Sequence, residues 1–444
     1  MYELRSNIYS DQDTSFTFYV LDTMATNAHT TADKAISKSF GSISPEEIQE
    51  GKEVFETDGV KGYEAYLQNK IDAWKTIPLN IGIVGNAGSG KSSFINAVRD
   101  LNGDDEGAAK VGVTETTKEP RAYSHPNNEL MKFWDLPGAG TPSFPKESYL
   151  ERIGFDKFDF FLIVTHKRFT ETDAQLAQEI TNKGKQFFFV RTHIQQDIDN
   201  DKKAHPKKHK KEQELVNEIL RDLKENLRAL YKEDKVFLID NYERNKFEFF
   251  YLAQSLIEDF PDLKRQAFIF SINAFSKQMV KAKVKELHST IRKYSALSGV
   301  VAAVPVPGLS FAVDLTFILK ASKFFFNQLG LDESSLERMA SLTNTDPSTL
   351  KTIVKKNFDV SLLLTSQGIK EFLVTIPAVL FSDAAEEYLR LIPGIGPFIA
   401  APISAGTTYY ILKRILKKME EVALLVLETT TQEVSIDVAD EEQN

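Results

Sequence analysis

The segment GNAGSGKSS, at residues 85–93, constrains the fold of this chain more than any other feature. It fits the pattern G-x4-G-K-[ST], with Gly85, Gly90, Lys91 and Ser92 in the defined places. The apolar run PLNIGIVG ends at its first glycine, and the helical pattern SSFINAVRDL follows. A glycine-rich turn between a buried strand and a helix lets backbone N–H groups and the helix N-terminus surround a phosphate. The segment therefore predicts a phosphate-binding loop in an α/β domain.

This loop implies particular roles for its side chains. We expect Lys91 to reach the β- and γ-phosphates of a nucleoside triphosphate, and the Ser92 hydroxyl to bind Mg²⁺. The nucleotide phosphates are expected to contact the whole loop, which consists of Gly85, Asn86, Ala87, Gly88, Ser89, Gly90, Lys91, Ser92 and Ser93.

A second motif, DLPG, follows the predicted strand MKFW. In this context Asp135 is expected to contact Mg²⁺ through water, and the Gly138 N–H to meet the γ-phosphate. A switch segment between the two motifs should supply a threonine hydroxyl to Mg²⁺ and the γ-phosphate. Spacing alone does not choose among its candidates, which are Thr114, Thr116 and Thr117.

The rest of the chain divides into a strand–helix part and a helical part. Strand–helix alternation predicts a mostly parallel sheet with helices on both faces, whereas strand signals disappear from about residue 255. Further strands are expected at MKFWDL (131–136), FDFFLIVT (158–165), QFFFVRT (186–192) and KVFLID (235–240). The fold class is thus α/β plus all-α, with boundaries expected at 1–43 (a mobile segment), 44–76 (helical), 77–255 (the phosphate-loop domain) and 256–444 (helical).

Composition narrows the function. The net charge of −9 argues against nucleic acid as the main partner, because phosphate-backbone binding leaves a basic footprint. The absence of cysteine excludes disulfides, thiolate metal sites, palmitoylation and prenylation, and it fits a reducing compartment such as the cytoplasm. The N-terminus lacks a signal-sequence pattern, and Tyr2 excludes N-myristoylation.

The motifs together resemble the immunity-related GTPases, which are interferon-inducible proteins of vertebrate innate immunity. The resemblance covers about 45–255 closely and the remainder in layout. It is carried by GNAGSGKSSFINAVR, DDEGAAKVGVTETTKEPRAYSHP, FWDLPGAGTPSFPKESYLERIGFDKFDFFLIV and FFFVRT.

The resemblance implies a Ras-like GTPase domain with a helical domain formed by both chain ends. It also implies binding of GTP and GDP with Mg²⁺, dimerisation with itself or with related GTPases, and peripheral contact with vacuolar or organelle membranes. Thr117 then takes the Mg²⁺-binding threonine position, and Glu115 the position of a glutamate that acts across the dimer. Catalysis would rest on Lys91, Glu115 and Gly138, since Ala139 stands where many small GTPases have a water-orienting glutamine.

The chain departs from the family in its base-reading motif. The family shows R-T-K-x-D, whereas residues 191–195 read Arg-Thr-His-Ile-Gln. Gln195 offers one neutral acceptor where a carboxylate would accept two charge-assisted hydrogen bonds from guanine, each worth about 1.5–3 kcal/mol. We therefore expect weakened guanine affinity, and nothing positive indicates adenine. The base is expected to contact Thr192, His193, Gln195, Asp197 and Asn241.

Two features leave alternatives open. The segments LSGVVAAVPVPGLSFAVDLTFIL and RLIPGIGPFIAAPISAGTTYYILKRI are either buried helices meeting at kinks or helices that lie on a bilayer. The basic run KKAHPKKHKK at 202–211 is either a solvated loop or a contact for lipid headgroups or an acidic partner.

Three functions are compatible with these patterns. The first is a Mg²⁺-dependent GTPase that cycles between a soluble form and membrane-bound dimers. The second is a nucleotide-binding switch or scaffold with little hydrolysis and altered base specificity, and the third is a membrane-remodelling or partner-docking protein whose helical part carries the function.

Overall fold

A computed structural model describes residues 45–112, 119–138, 148–227, 235–244, 246–302, 309–357 and 405–441. Two compact units account for them. One unit is Ala73–Met279, and the other combines the described residues before Ala73 with those after Met279. The predicted mobile segment 1–43, the threonines and glutamate of the switch segment, and Ala139 lie outside the described residues.

A six-stranded sheet forms the centre of the first unit, with strand order β2-β3-β1-β4-β5-β6. All neighbouring strands are parallel except β2 and β3, which form an antiparallel pair. The strands are β1 (Leu79–Val84), β2 (Arg121–His125), β3 (Asn128–Asp135), β4 (Phe160–Thr165), β5 (Gln186–Arg191) and β6 (Val236–Leu238). The predicted mostly parallel sheet is confirmed, as is each of the five strands expected from the sequence.

Burial explains why these strands could be predicted from the sequence. Every residue of β4 is buried, and β1 and β5 are buried along most of their length, so helices cover both faces of the sheet. The strand β2 was not expected, because its sequence, RAYSH, has exposed and polar positions. It is an edge strand that pairs with β3 across a short chain reversal at residues 126–127. Its strand conformation therefore depends on pairing with β3, which the local pattern of apolar residues does not predict.

Helices follow most of the strands of this unit. They are α2 (Lys91–Val98), α3 (Tyr149–Ile153), α4 (Glu171–Asn182), α5 (Ile194–Ala204), α6 (Glu212–Leu227), α7 (Phe249–Asp259) and α8 (Asp262–Ser271). The start of α4 is fixed by a capping box, in which Thr170 and Asp173 satisfy each other's backbone N–H. Because β1, β3, β5 and β6 run parallel in one sheet, their carboxyl ends meet at the same edge.

All regular secondary structure in the described residues of the second unit is helical. Its helices are α1 (Pro45–Asp72), α10 (Leu309–Gln328), α11 (Glu333–Thr343), α12 (Pro347–Asn357) and α13 (Ala405–Glu441), and α9 (Lys277–Ala302) runs into it from the first unit. Gly59 interrupts α1 with φ 64°, which kinks the helix. Among the helices described, none is long and apolar enough to cross a bilayer. Residues 303–308 and 358–404, which contain the Pro/Gly breaks of the two apolar segments, lie outside the described residues.

Candidate nucleotide-binding site

The residues expected to bind nucleotide come together at the carboxyl edge of the sheet. The phosphate loop follows β1, Asp135 ends β3, Thr192 follows β5, and Asn241 comes shortly after β6. Ligands of parallel α/β sheets bind at this edge because the loops there converge.

Two glycines of the phosphate loop hold its shape. A Cβ atom on Gly85 would lie 2.0 Å from the carbonyl oxygen of Val164, so no side chain fits between β1 and β4 at this point. Gly90 has φ 84° and precedes α2, where its left-handed conformation turns the chain into the helix. A Cβ atom there would also lie 3.1 Å from both Asn241 Nδ2 and His193 Cε1. The loop therefore needs glycine for backbone conformation and for close approach of the base-side residues.

The Lys91 ammonium lies inside the loop. Its Nζ donates to the Gly85 carbonyl at 2.9 Å and to the Asn86 carbonyl at 3.2 Å, and the side chain is buried. These carbonyls position the positive charge beside the loop N–H groups. A triphosphate entering the loop would meet that charge without long-range movement of the lysine.

Ser92 and Asp135 form the candidate Mg²⁺ site. The Ser92 hydroxyl donates to Asp135 Oδ2 at 2.8 Å, although the two residues are 43 positions apart in sequence. Asp135 is 2% exposed, so its carboxylate lies away from bulk water. One hydroxyl and one carboxylate oxygen beside a phosphate loop fit Mg²⁺, which binds through few protein oxygens together with phosphates and water. The donor set thus fits the metal that the motifs predict.

The backbone after Asp135 is held in place up to Gly138. The Leu136 N–H donates to the Ile83 carbonyl at 3.0 Å, and the Tyr149 hydroxyl donates to the Pro137 carbonyl at 2.7 Å. Gly138 directly follows Pro137 and is also buried. Its predicted partners Glu115 and Thr117 lie outside the described residues, so their catalytic and metal-binding roles stay predictions.

Thr192 connects three parts of the site. Its hydroxyl lies 2.8 Å from the Ser89 carbonyl and 3.2 Å from the Thr165 carbonyl, and it also contacts His193 Nδ1 at 2.8 Å. The residue is fully buried. Thr192 therefore fixes the loop after β5 against the phosphate loop. Its hydroxyl makes these contacts with the protein, whereas its expected contact was with the nucleotide base.

His193 lies beside the phosphate loop in a left-handed conformation, with φ 60°, at the start of α5. Its ring meets that of His166 edge-on, with centroids 5.7 Å apart. Burial lowers the pKa of His193, and nearby Asp240 partly opposes this effect. Burial also lowers the pKa of His166, and the neighbouring His193 adds to that lowering. Both rings are therefore neutral at pH 7, in contrast to the lysine of the family motif.

Gln195 is held by residues from two directions. Its Oε1 accepts from Lys246 Nζ at 2.6 Å, and its Nε2 donates to Asp199 Oδ1 at 2.9 Å. Its backbone N–H donates to Asp240 Oδ2 at 3.3 Å. The side-chain amide is thus oriented by a lysine from the loop after β6 and an aspartate one turn along α5.

Asp197, the one acidic residue expected to contact the base, pairs with Arg191. The Arg191 side chain donates to Asp197 Oδ2 and to the Thr192 carbonyl. Burial raises the pKa of Asp197, while the Arg191 charge acts in the opposite direction. This ion pair ties β5 to the first turn of α5.

The loop after β6 is fastened to the phosphate loop by Asn241. Its Nδ2 donates to the Gly90 carbonyl at 3.1 Å, and its buried Oδ1 has no hydrogen-bond partner in the structure. Asp240 holds the same loop by accepting the backbone N–H groups of Tyr242 at 3.0 Å and Glu243 at 3.3 Å. A buried acceptor without a partner beside the phosphate loop is suited to a ligand N–H.

Sequence reasoning missed four residues of this site: Asp199, Asp240 as an anchor, Tyr242 and Lys246. Tyr242 is 78% exposed although it follows the buried Asn241, and its hydroxyl lies 3.4 Å from Ser93 Oγ. An aromatic residue directly after the Asp-Asn pair was the available signal. Lys246 carried no such signal, because it contacts Gln195 from 51 positions away.

Comparison with known proteins identifies relatives over most of the chain. The sequence model of the interferon-inducible GTPase family (IIGP) matches residues 44–383. Interferon-inducible GTPase 5 of Rattus norvegicus is 31% identical over 407 residues, covering 89% of this chain and 86% of the relative. Interferon-gamma-inducible GTPase 10 of Mus musculus is 32% identical over 352 residues, covering 79% and 81%. T-cell-specific guanine nucleotide triphosphate-binding protein 2 of Mus musculus is 37% identical over 276 residues, covering 61% and 65%.

Proposed function

The chain belongs to the interferon-inducible GTPase family and is a P-loop GTPase, and from that premise we propose that it hydrolyses GTP to GDP and phosphate in a Mg²⁺-dependent cycle. The observation that carries the proposal is the Ser92–Asp135 contact of 2.8 Å, formed next to a phosphate loop that encloses Lys91. These groups are far apart in sequence, and phosphoryl transfer requires them side by side.

Each residue of the site has a defined task in this proposal. The loop N–H groups and Lys91 hold the β- and γ-phosphates, and the N-terminus of α2 adds partial positive charge. Mg²⁺, when bound, neutralises charge that develops on the transferred phosphoryl group. Ser92 and Thr117 would ligate it directly, and Asp135 through water. The Gly138 N–H contacts the γ-phosphate, and Glu115 positions water across a dimer in place of the glutamine that Ala139 replaces.

The base lies in this proposal against the loops after β5 and β6. Thr192 fixes the loop, the neutral His193 ring packs beside it, and Asn241 Oδ1 offers a buried acceptor. Gln195 occupies the place of the family's aspartate. Asp197 takes part by holding Arg191 and the first turns of α5.

We extend the proposal to self-association and membrane contact. Nucleotide-dependent dimerisation, with itself or with a related GTPase, would bring Glu115 to a partner's nucleotide. The protein would move from a cytoplasmic pool to peripheral association with an intracellular membrane. This cycle would serve cell-autonomous immunity. We propose that the helical domain carries the membrane contact. The similarity to interferon-inducible GTPases supports the immune role in this part of the proposal.

A second candidate function is a nucleotide-bound switch or scaffold with little hydrolysis. The neutral His193 and the engaged Gln195 favour it, because both replace charged base-contacting groups of the family motif. Titration with GTP, GDP and ATP beside turnover measurements separates the two functions. Binding without phosphate release at high protein concentration would favour the scaffold.

Phosphate release from GTP tests the leading proposal. We expect Lys91→Ala to lower the turnover rate by about 100-fold or more, because a charge that stabilises the transferred phosphoryl group is lost. Lys351→Ala is the control, since Lys351 is a partly exposed lysine that pairs with Glu333 and Glu337 in the other unit. Equal phosphate release from wild type and Lys91→Ala would refute the proposed reaction.

A further inference from the structure

The amide of Gln195 presents an unusual set of groups at the place where a GTPase reads its base. A carboxylate there would offer two charged acceptors to the N1–H and 2-amino groups of guanine. In this chain the amide oxygen already accepts from the Lys246 ammonium at 2.6 Å, and the amide NH₂ donates to Asp199 at 2.9 Å. A neutral oxygen that is already bonded to an ammonium is a poorer acceptor than a carboxylate.

Lys246 brings a positive charge to this position. Its side chain is 40% exposed and also forms an ion pair with Glu212 at 2.5 Å, so the ammonium is held on both sides. Because the Lys246–Glu212 pair is exposed, solvent screens its attraction, and Glu212 acts mainly by positioning the ammonium. An ammonium and an amide NH₂ are both donors. Where the family motif has a carboxylate that accepts hydrogen bonds, this chain therefore has two donors, the Lys246 ammonium and the neutral Gln195 NH₂.

The three aspartates in contact with these loops do not replace the missing carboxylate. Asp197 pairs with Arg191, and Asp199 accepts from Gln195. Asp240 is buried and accepts three backbone N–H groups, from Gln195, Tyr242 and Glu243. Each of these carboxylates is already engaged in holding the two loops together.

We infer that the Lys246–Gln195 pair donates a hydrogen bond to an acceptor at position 2 of a purine base. The site therefore favours a 2-oxo purine nucleotide over a guanine nucleotide. Lys246 is then a specificity-determining residue, and the 2-amino group of guanine is the feature it disfavours. This inference rests on the proposed function, because it concerns the base of the nucleotide whose phosphates the loop around Lys91 binds.

Three triphosphates of 6-oxo purines with different groups at position 2 test the inference; XTP also carries N3–H where GTP and ITP have an N3 acceptor. They are GTP with an amino group, ITP with hydrogen and XTP with a carbonyl oxygen. Dissociation constants in the presence of Mg²⁺ are measured by calorimetry on the full chain. We expect XTP to bind about tenfold more tightly than GTP, the size of one charge-assisted hydrogen bond, and ITP to bind at least as tightly as GTP.

Variants assign the preference to the pair. Lys246→Ala should remove the advantage of XTP, whereas Lys210→Ala should not, because Lys210 is a similarly exposed lysine paired with Glu218 in the same unit. The double variant Gln195→Asp with Lys246→Ala presents a carboxylate without an ammonium, and it should prefer GTP over XTP by about tenfold or more.

The outcomes separate this inference from the proposed function. Equal affinity for the three triphosphates, tighter binding of GTP than of ITP and XTP by the wild type, or an XTP preference that persists in Lys246→Ala would overturn the inference and leave the P-loop GTPase intact. Failure of all three triphosphates to bind would refute the proposed function itself.

Discussion

Ser92 is the residue whose single contact says most about the chemistry. Its hydroxyl reaches Asp135 at 2.8 Å, and the two oxygens mark the candidate metal position. In Ser92→Ala this oxygen is absent while the loop glycines and Lys91 remain. We expect the Mg²⁺ concentration for half-maximal turnover to rise by about tenfold or more, because one ligand of the metal is lost.

The measurement is GTP turnover against Mg²⁺ concentration for both proteins. Ser334→Ala is the matched control, because the Ser334 hydroxyl is exposed in the other unit and contacts Asp332 at 2.6 Å. A Ser92→Ala protein with the same Mg²⁺ dependence as wild type would remove Ser92 from the metal site.

His193 makes the stability of the first unit depend on pH. Its pKa in the folded protein lies below the ordinary histidine value of 6.5 because of burial. The unfolded chain therefore takes up the proton first as the pH falls below 6.5, and the free energy of unfolding decreases until the lower folded pKa is reached. The neutral ring's contribution is fully present above that window and lost below it.

His193→Gln should lack this component. Urea unfolding at about pH 7.5 and about pH 5.5 measures the loss of stability in each protein. We expect wild type to lose more unfolding free energy than His193→Gln over this interval. A loss of equal size in both proteins would show that the folded state does not disfavour the charged ring at this position.

Single residues also show where sequence reasoning ends. Lys91, Ser92 and the loop glycines were predictable because a local pattern fixes their roles. Asn241 and Gly90 meet across 151 positions, and Lys246 and Gln195 across 51. These contacts depend on how β6 is placed beside β5, which no local pattern encodes. The departure at Gln195 was visible in the sequence, but its partner was not.

Among the elements, the junction between β1 and α2 is the most constrained. A Cβ atom on Gly85 would lie 2.0 Å from the Val164 carbonyl oxygen, so β1 and β4 would have to separate. We expect Gly85→Ala to lower the free energy of unfolding by about 1–3 kcal/mol, the usual cost of overpacking.

Gly103→Ala is the matched control for this substitution. A Cβ atom on Gly103 has no heavy atom within 4 Å, so its effect should stay within about 0.5 kcal/mol. Chemical denaturation of both variants and wild type makes the comparison. Equal stability of Gly85→Ala and Gly103→Ala would contradict the close approach of β1 and β4 at the loop.

The strands show the same contrast between local and tertiary information. The five expected strands contain apolar runs whose side chains are largely buried, and their alternation with helices predicted the parallel topology. The edge strand β2 could not be predicted in this way, because only Tyr123 and His125 of its five residues are buried. Its pairing with β3 is set by a short reversal and by the sheet that already exists.

For the whole molecule, the proposed role of Glu115 predicts activity that depends on self-association. If Glu115 positions water across a dimer, turnover per molecule rises with protein concentration. Glu115→Ala should abolish this rise while GTP affinity stays within about threefold, since the residue acts on hydrolysis rather than binding.

Phosphate release across a range of protein concentrations measures this property, with GTP affinity determined in parallel. Glu119→Ala serves as the control, because Glu119 is an exposed glutamate just beyond the switch segment. Turnover per molecule that is independent of concentration in wild type would contradict the dimer-based mechanism.

The central claim is that the loop around Lys91 binds a nucleoside triphosphate together with Mg²⁺. Calorimetric titration of GTP with Mg²⁺ into wild type and Lys91→Ala tests it most directly. We predict saturable binding to wild type and an affinity about 100-fold lower or undetectable for the variant, because the ammonium held by the Gly85 and Asn86 carbonyls is removed. Equal affinity in the two proteins, or no binding to wild type, would contradict the account.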